Sequence, residues 1–118
     1  MTTAPFSSVA HARGIDGCDL DDIKALAYYE RAGAAGSADA LVCAGAMLYG
    51  GRGVSAPDKF AAFARYSRAA ALGSVVAWEN IAAMQATGDG VPLNVEAARY
   101  VRSTIIPALQ AAASNQLQ

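Results

Sequence analysis

The chain is poor in the residues that build disulfide frameworks and metal sites. Its 118 residues include two cysteines, Cys18 and Cys43, and one histidine, His11. Two thiols do not form the multi-disulfide framework of a small secreted domain, although a single Cys18–Cys43 bond stays open. One histidine and two distant cysteines do not supply a usual metal site unless carboxylates join them. The sequence therefore predicts no metal and no cofactor, and His11 is interpreted as a residue without a catalytic role.

Strong charge and long apolar runs are also missing. The formal net charge is −1, and lysine and arginine form no cluster. This argues against nucleic acid or an anionic membrane as the main partner, because both attract clustered positive charge. No run of about 18 apolar residues is present, so the sequence predicts no membrane span. The first residues, MTTAPFSSVAHAR, lack the apolar stretch of a secretory signal, which favours a cytoplasmic location and leaves organelle import open.

Alanine is the most abundant residue. It occupies 29 positions, and hydrophobic residues make up 54% of the chain. Alanine has the highest helix propensity and adds almost no side-chain bulk. The composition therefore predicts a folded domain of closely packed helices that buries little apolar area per residue.

Two segments of the chain repeat one another at a spacing of 37 residues. Fifteen positions are identical between them, including the pair Tyr29 and Tyr66 and the Gly-Ser turns at 36–37 and 73–74. A fixed period of this length is typical of solenoids, in which each unit must stack on a neighbour to bury its apolar face. The repeat therefore predicts the fold and favours a binding function over catalysis.

Capping and turn residues divide the chain into short helices. Ser, Asp and Asn are favoured at helix starts and Gly at helix ends, because they satisfy backbone groups that the helix leaves unpaired. Helices are predicted at residues 19–35, 38–49, 57–71, 75–86 and 94–105, with a short one after Pro107. On the first helix, Ile23, Leu26, Tyr29 and either Ala32 or Gly33 recur at helical spacing as its buried stripe. Because the connections are short, successive helices are expected to be antiparallel neighbours.

Each copy contains an aspartate, an alanine, an aromatic, further alanines and a closing Gly-x-Gly-Val at matching spacings. The positions are Asp21, Ala25, Tyr28, Tyr29, Ala32, Gly36, Ala40, Ala44, Gly45, Gly51, Gly53 and Val54, and then Asp58, Ala62, Tyr66, Ala69, Ala70, Gly73, Ala77, Ile81, Ala82, Gly88, Gly90 and Val91. This pattern resembles the Sel-one-like repeat, a relative of the tetratricopeptide repeat. Two departures are Ala44-Gly45 and Ile81-Ala82, where the family has Leu-Gly. The resemblance covers residues 17–105.

The resemblance implies an all-α right-handed α/α superhelix, or solenoid, of about five to six antiparallel helices. It would contain roughly two full repeats and partial capping repeats. Residues 1–16 are interpreted as an irregular leader or partial N-terminal cap, 17–106 as the Sel-one-like repeat domain and 107–118 as a C-terminal capping helix with a frayed tail. In this phase Trp78, Tyr28, Tyr29 and Tyr66 form the aromatic core, and Cys18 is a small buried residue.

The resemblance also implies a binding surface on the concave face of the solenoid. The residues that would lie there are Asp39, Val42, Cys43, Ala46, Tyr49, Val76, Glu79, Asn80, Ala83 and Ala86. The family binds extended peptides or a partner helix on this face, so the expected function is a non-catalytic protein–protein interaction module: an adaptor, scaffold or regulator. The alternatives are a self-associating subunit, such as a homodimer, or an immunity-type inhibitor of an enzyme. A hydrolase of the cysteine-rich type is more remote, because this chain lacks the paired cysteines of such repeats.

Four features admit a chemical and a structural interpretation. The loop Gly50-Gly51-Arg52-Gly53 could cradle phosphate, but it follows a helix rather than a strand, so its glycines are interpreted as turn residues and Arg52 as exposed. The acidic residues at 19, 21 and 22 are interpreted as helix-start residues rather than cation ligands. Cys43 is interpreted as a small hydrophobe, with a reactive thiol as the alternative. Tyr49, at the rim of the groove, is a candidate contact residue.

Overall fold

The computed structural model describes residues 20–116, and these residues form an all-α solenoid, as predicted. The helices are α1 (Leu20–Ala34), α2 (Ala38–Gly50), α3 (Lys59–Ala71), α4 (Val75–Thr87), α5 (Val95–Tyr100) and α6 (Ile106–Gln116), with a π-helical turn at Val101–Ile105 between the last two. Each helix packs on the next along the chain, and α2 and α3 have the most extensive contact. The predictions for residues 1–19, which include the leader, His11, Cys18 and the cap at Asp19, lie outside the described residues.

Two serine caps at equivalent positions start the second helix of each helix pair. The Ser37 hydroxyl accepts a hydrogen bond from the Ala40 backbone N–H at 3.1 Å, and Ser74 accepts one from Ala77 at 3.1 Å. Both caps satisfy a donor that the helix start leaves unpaired. The tight turns predicted at 36–37 and 73–74 are confirmed.

The core consists of small residues and a few large ones at the helix contacts. Leu41 is 1% exposed and Tyr66 is 5% exposed. The Tyr66 ring lies against Gly45, where a Cβ atom would come within 2.7 Å of the ring. Trp78 was assigned to the aromatic core; it is half-buried and packs against both the main core and a second cluster formed by α4 and the C-terminal helices. Because alanine and glycine leave room, the helix backbones approach closely.

The buried face of α1 is narrower than predicted. Ile23 is 38% exposed and Tyr28 is 59% exposed, so their assignment to the core is wrong. The buried residues of α1 are Leu26 and Gly33, and a Cβ atom at Gly33 would lie 2.7 Å from the Leu41 side chain. Helical spacing locates the middle of an apolar stripe, but how far the stripe extends around the helix depends on the packed neighbour.

The third helix begins two residues later than predicted. Asp58, and not Pro57, is the residue at its start: the Asp58 carboxylate accepts a hydrogen bond from the Ala61 N–H at 2.9 Å. Pro57 instead lies beside Gly51, where a Cβ atom would come 3.0 Å from the proline ring. The proline therefore belongs to the loop that connects α2 to α3.

The predicted break at Pro107 is not present. Tyr100, Val101 and Ile106 all have right-handed helical backbone angles, so the helix continues from α5 through the π-helical turn into α6. In a regular α-helix the proline ring would collide with the carbonyl group four residues earlier. The π turn ends two residues before Pro107, and its wider backbone spacing lets the helix continue through the proline.

None of the helices at 20–116 has both the length and the apolar composition needed to cross a membrane. Over the same residues, no group of three or more His, Cys, Asp or Glu side chains is arranged to hold a metal ion.

Candidate functional site

A pocket of about 410 Å³ opens between α2 and α4, above α3. It is lined by Tyr49 from α2, Tyr66 from α3, Asn80, Ala83, Met84 and Thr87 from α4, and Asp89 from the loop after α4. Its volume lies within the range of sites that enclose a small ligand or a whole side chain. Its lining combines apolar and aromatic surface with hydroxyl, amide and carboxylate groups that can orient a bound molecule.

Three of the residues predicted for the concave face line this pocket, namely Tyr49, Asn80 and Ala83. The others lie on the same two helices at helical spacing from these three, and each is exposed or half-buried: Asp39, Val42, Cys43, Ala46, Val76, Glu79 and Ala86. Cys43 is half-buried and carries a free thiol. The pocket therefore lies at one end of the predicted surface, which we call the groove.

The sequence-based prediction missed Tyr66, Met84, Thr87 and Asp89 as lining residues. Tyr66 was assigned to the core, and it is both a core residue and the floor of the pocket. The second glycine loop has Asp89 where the first has Arg52. The signal that could have found it is a reversal of charge between the two repeats.

The reversal involves one ion pair in each repeat. In the first, Arg52 donates to Asp22 at 2.8 Å between Nη2 and Oδ1. The residues 37 positions later are Asp89 and Lys59, and they pair at 2.7 Å between Oδ1 and Nζ. Arg52 is exposed, as predicted, with 64% of its side chain accessible. Each pair ties a glycine loop to the start of the first helix of the same repeat, α1 or α3, with the signs of the two charges exchanged.

The second of these pairs also positions Tyr49. The Tyr49 hydroxyl donates to Asp89 Oδ2, and the Lys59 ammonium group lies 5.0 Å from the centroid of the Tyr49 ring. A cation over an aromatic face is attracted by the ring quadrupole. Tyr49 is thus fixed at the wall of the pocket by a hydrogen bond through its hydroxyl and by a cation–π contact with its ring.

The second glycine of each loop permits these contacts. Gly53 and Gly90 both have φ near +81°, a conformation that L side chains rarely adopt. A Cβ atom at Gly53 would lie 2.7 Å from the carbonyl oxygen of Asp22, and one at Gly90 would collide with Cβ of Lys59. The closing Gly-x-Gly-Val is therefore the place where each loop packs closely against the first helix of its own repeat.

The contacts among Asp89, Lys59 and Tyr49 shift the pKa of each group in the direction that pairing predicts. The hydrogen bond from Lys59 and that from Tyr49 lower the pKa of Asp89. The same contacts raise the pKa of Lys59 and of Tyr49, because each loses a proton less readily beside the carboxylate. A third ion pair joins α1 to α3: Arg65 donates to both oxygens of Glu30, at 2.7 and 2.9 Å, and lowers the pKa of that carboxyl.

Acid is expected to weaken the fold through Glu30. Its pKa lies below the ordinary value of 4.5, so its contribution to the free energy of unfolding is complete above that value and is lost as the pH falls through the lowered pKa. Urea unfolding between pH 7 and pH 2.5 should show a smaller loss of stability in Glu30→Gln than in the parent chain. The Arg65→Gln variant, which retains the carboxylate without its partner, should behave in the same way. An unchanged acid dependence in both variants would contradict this assignment.

Comparison with models of protein families finds no match, and neither does comparison with curated proteins. The resemblance to the Sel-one-like repeat thus rests on the spacing of the repeated residues and stays a prediction. The all-α architecture with consecutive helix packing is compatible with it.

Proposed function

We propose that this chain is a non-catalytic protein–protein interaction module that binds a segment of a partner protein in the groove. The observation that carries the proposal is the coincidence of the pocket with positions that differ between the two repeats. Four of the seven lining residues differ from their counterparts in the other repeat: Tyr49 corresponds to Ala86, Asn80 to Cys43, Thr87 to Gly50 and Asp89 to Arg52. The other three, Tyr66, Ala83 and Met84, are shared by both repeats. Because the fold does not require one particular residue at a position that differs between the repeats, the side chains at such positions are available to contact a partner protein.

The composition of the pocket supports a protein partner. Met84 is a flexible apolar side chain, and Tyr49 and Tyr66 supply aromatic surface. Aromatic residues in partly enclosed pockets are typical anchoring sites of protein interfaces, and methionine adapts to irregular apolar partners. As part of this proposal, we assign the repeated unit to the Sel-one-like type, whose concave face would present the pocket.

Filling the pocket is expected to abolish binding without changing the fold. Peptides that bind the full chain would first be selected from a random displayed library, and their affinities measured by fluorescence anisotropy. Ala83 is exposed on α4, so Ala83→Gln places a longer side chain in the pocket while keeping a good helix former. The affinity of the selected peptides should fall at least about tenfold, the effect of removing one strong contact.

The matched control is Ala27→Gln, because Ala27 is an exposed alanine in the middle of α1 and lies outside the groove. It should leave both the affinity and the helical circular dichroism unchanged. Equal affinities for the parent, Ala83→Gln and Ala27→Gln would show that the peptides bind elsewhere, and the proposed function would be wrong.

A further inference from the structure

The two helices that form the walls of the groove carry only negative charge. α2 and α4 contain neither lysine nor arginine, and their charged residues are Asp39 and Glu79. The lysines and arginines of residues 20–116 lie on the other helices, the π turn and the loop after α2: Lys24, Arg31, Arg52, Lys59, Arg65, Arg68, Arg99 and Arg102. The positive charges of residues 20–116 therefore lie outside the two walls of the groove, whereas negative charges occur on both sets of helices.

Asp39 and Glu79 are also the carboxylates that lack a side-chain interaction among residues 20–116. Every other aspartate or glutamate in this range caps a helix, pairs with a cation or has another interaction: Asp21, Asp22, Glu30, Asp58, Asp89 and Glu96. Asp39 lies in the first turn of α2, where the helix dipole favours a negative charge. Glu79 lies in the second turn of α4, and neither a cap nor an ion pair accounts for it.

Glu79 is close to the pocket along its own helix. It lies four residues before Ala83, a pocket residue, which corresponds to about 6 Å along the axis and places the two on one face. Both are exposed. A partner that places an apolar side chain in the pocket would thus bring its neighbouring residues beside an unpaired carboxylate.

We propose that the partner segment is cationic: an apolar side chain occupies the pocket, and a lysine or arginine beside it pairs with Glu79, with a second cation toward Asp39. This inference rests on the proposed function. In an extended segment the cation would be two residues from the apolar anchor, since that spacing is about 6.6 Å, and in a helix it would be one turn away. Opposite charges across the rim of an interface select partners and accelerate association.

The composition of the selected peptides tests the proposal. Peptides that bind the full chain and lose affinity for Ala83→Gln should be enriched in lysine or arginine near an apolar residue. Glu79→Gln should weaken them about two- to fivefold, as removal of one exposed ion pair does. Their affinity should fall with added salt, and less steeply for the Asp39→Asn, Glu79→Gln double variant. Glu96→Gln removes a carboxylate that is 83% exposed on α5, away from the groove, and should leave the affinity unchanged.

Charge reversal sharpens the test. Glu79→Lys should bind a peptide whose lysines are replaced by glutamate better than it binds the original peptide. Selected peptides that depend on Ala83 but are neutral or acidic, or that bind Glu79→Gln and the parent equally, would overturn this inference and leave the proposed function intact. If no selected peptide depends on Ala83, both the inference and the proposed function are wrong.

Discussion

Replacing Tyr66 with alanine is expected to lower the free energy of unfolding by about 3–5 kcal/mol, the range for truncating a buried aromatic residue. Tyr66 is 5% exposed, and its ring fills the space that Gly45 leaves between α2 and α3. These two helices have the most extensive contact in the solenoid. The loss would remove a large part of the 5–15 kcal/mol that is ordinary for a domain, taken as an order-of-magnitude range.

Urea unfolding followed by circular dichroism measures this effect, and a stabilising osmolyte keeps the variant folded if it is marginal in buffer. Tyr66→Phe retains the ring and should stay within about 1 kcal/mol of the parent, because the lost contact is then only the hydroxyl. Tyr28→Ala is a control of the same residue type, and it should cost less than about 1.5 kcal/mol, the upper range for its edge contact with Tyr29. Similar losses for Tyr66→Ala and Tyr28→Ala would contradict the assignment of Tyr66 to the core.

Substituting Gly90 with alanine is expected to cost about 2–4 kcal/mol, which combines the penalty of positive φ with local strain. The added methyl group would collide with Cβ of Lys59, an atom close to the backbone that cannot turn aside. The loop would have to move, and Asp89 would move with it, away from Tyr49 and Lys59. The midpoint of thermal unfolding of Gly90→Ala should therefore lie roughly 10–20 °C below that of the parent chain, for a chain of this size.

Gly50→Ala provides the matched control for Gly90. Gly50 is the last residue of α2, and a Cβ atom there would meet nothing within 4 Å. The substitution should leave the stability unchanged or raise it by up to about 1 kcal/mol, because alanine restricts the unfolded chain. A midpoint for Gly90→Ala equal to that of Gly50→Ala would show that the loop is not held against Lys59.

The helices and their turns were predictable because their signals are local. Ser37 and Ser74 act on backbone donors three residues away, so their positions in the sequence determine what they cap. The period of 37 residues adds the information that such units must stack. Residue type and spacing were therefore sufficient for the all-α architecture, whereas the position of Trp78 was predicted from the resemblance to the Sel-one-like repeat.

The site was only partly predictable, because its contacts join distant residues. Tyr49 meets Asp89 across 40 positions of sequence and Lys59 meets Asp89 across 30. The placement of Tyr49, Asn80 and Ala83 on one face was implied by the resemblance to the Sel-one-like repeat. The reach of the Asp89 loop to that face depends on how the second repeat stacks on the first.

The sequence by itself determined the architecture of this protein: helix propensity, caps and a fixed repeat all act over short distances and agree with one another. The tertiary structure alone decided which turns of α1 are buried, that the helix passes through Pro107, and that Tyr66 serves both core and pocket. It also decided that each glycine loop forms an ion pair with the first helix of its repeat, and that the loop supplies the cation in the first repeat and the carboxylate in the second. The physical reason is that burial and ion pairing depend on the distance between packed helices, which propensity and period do not specify.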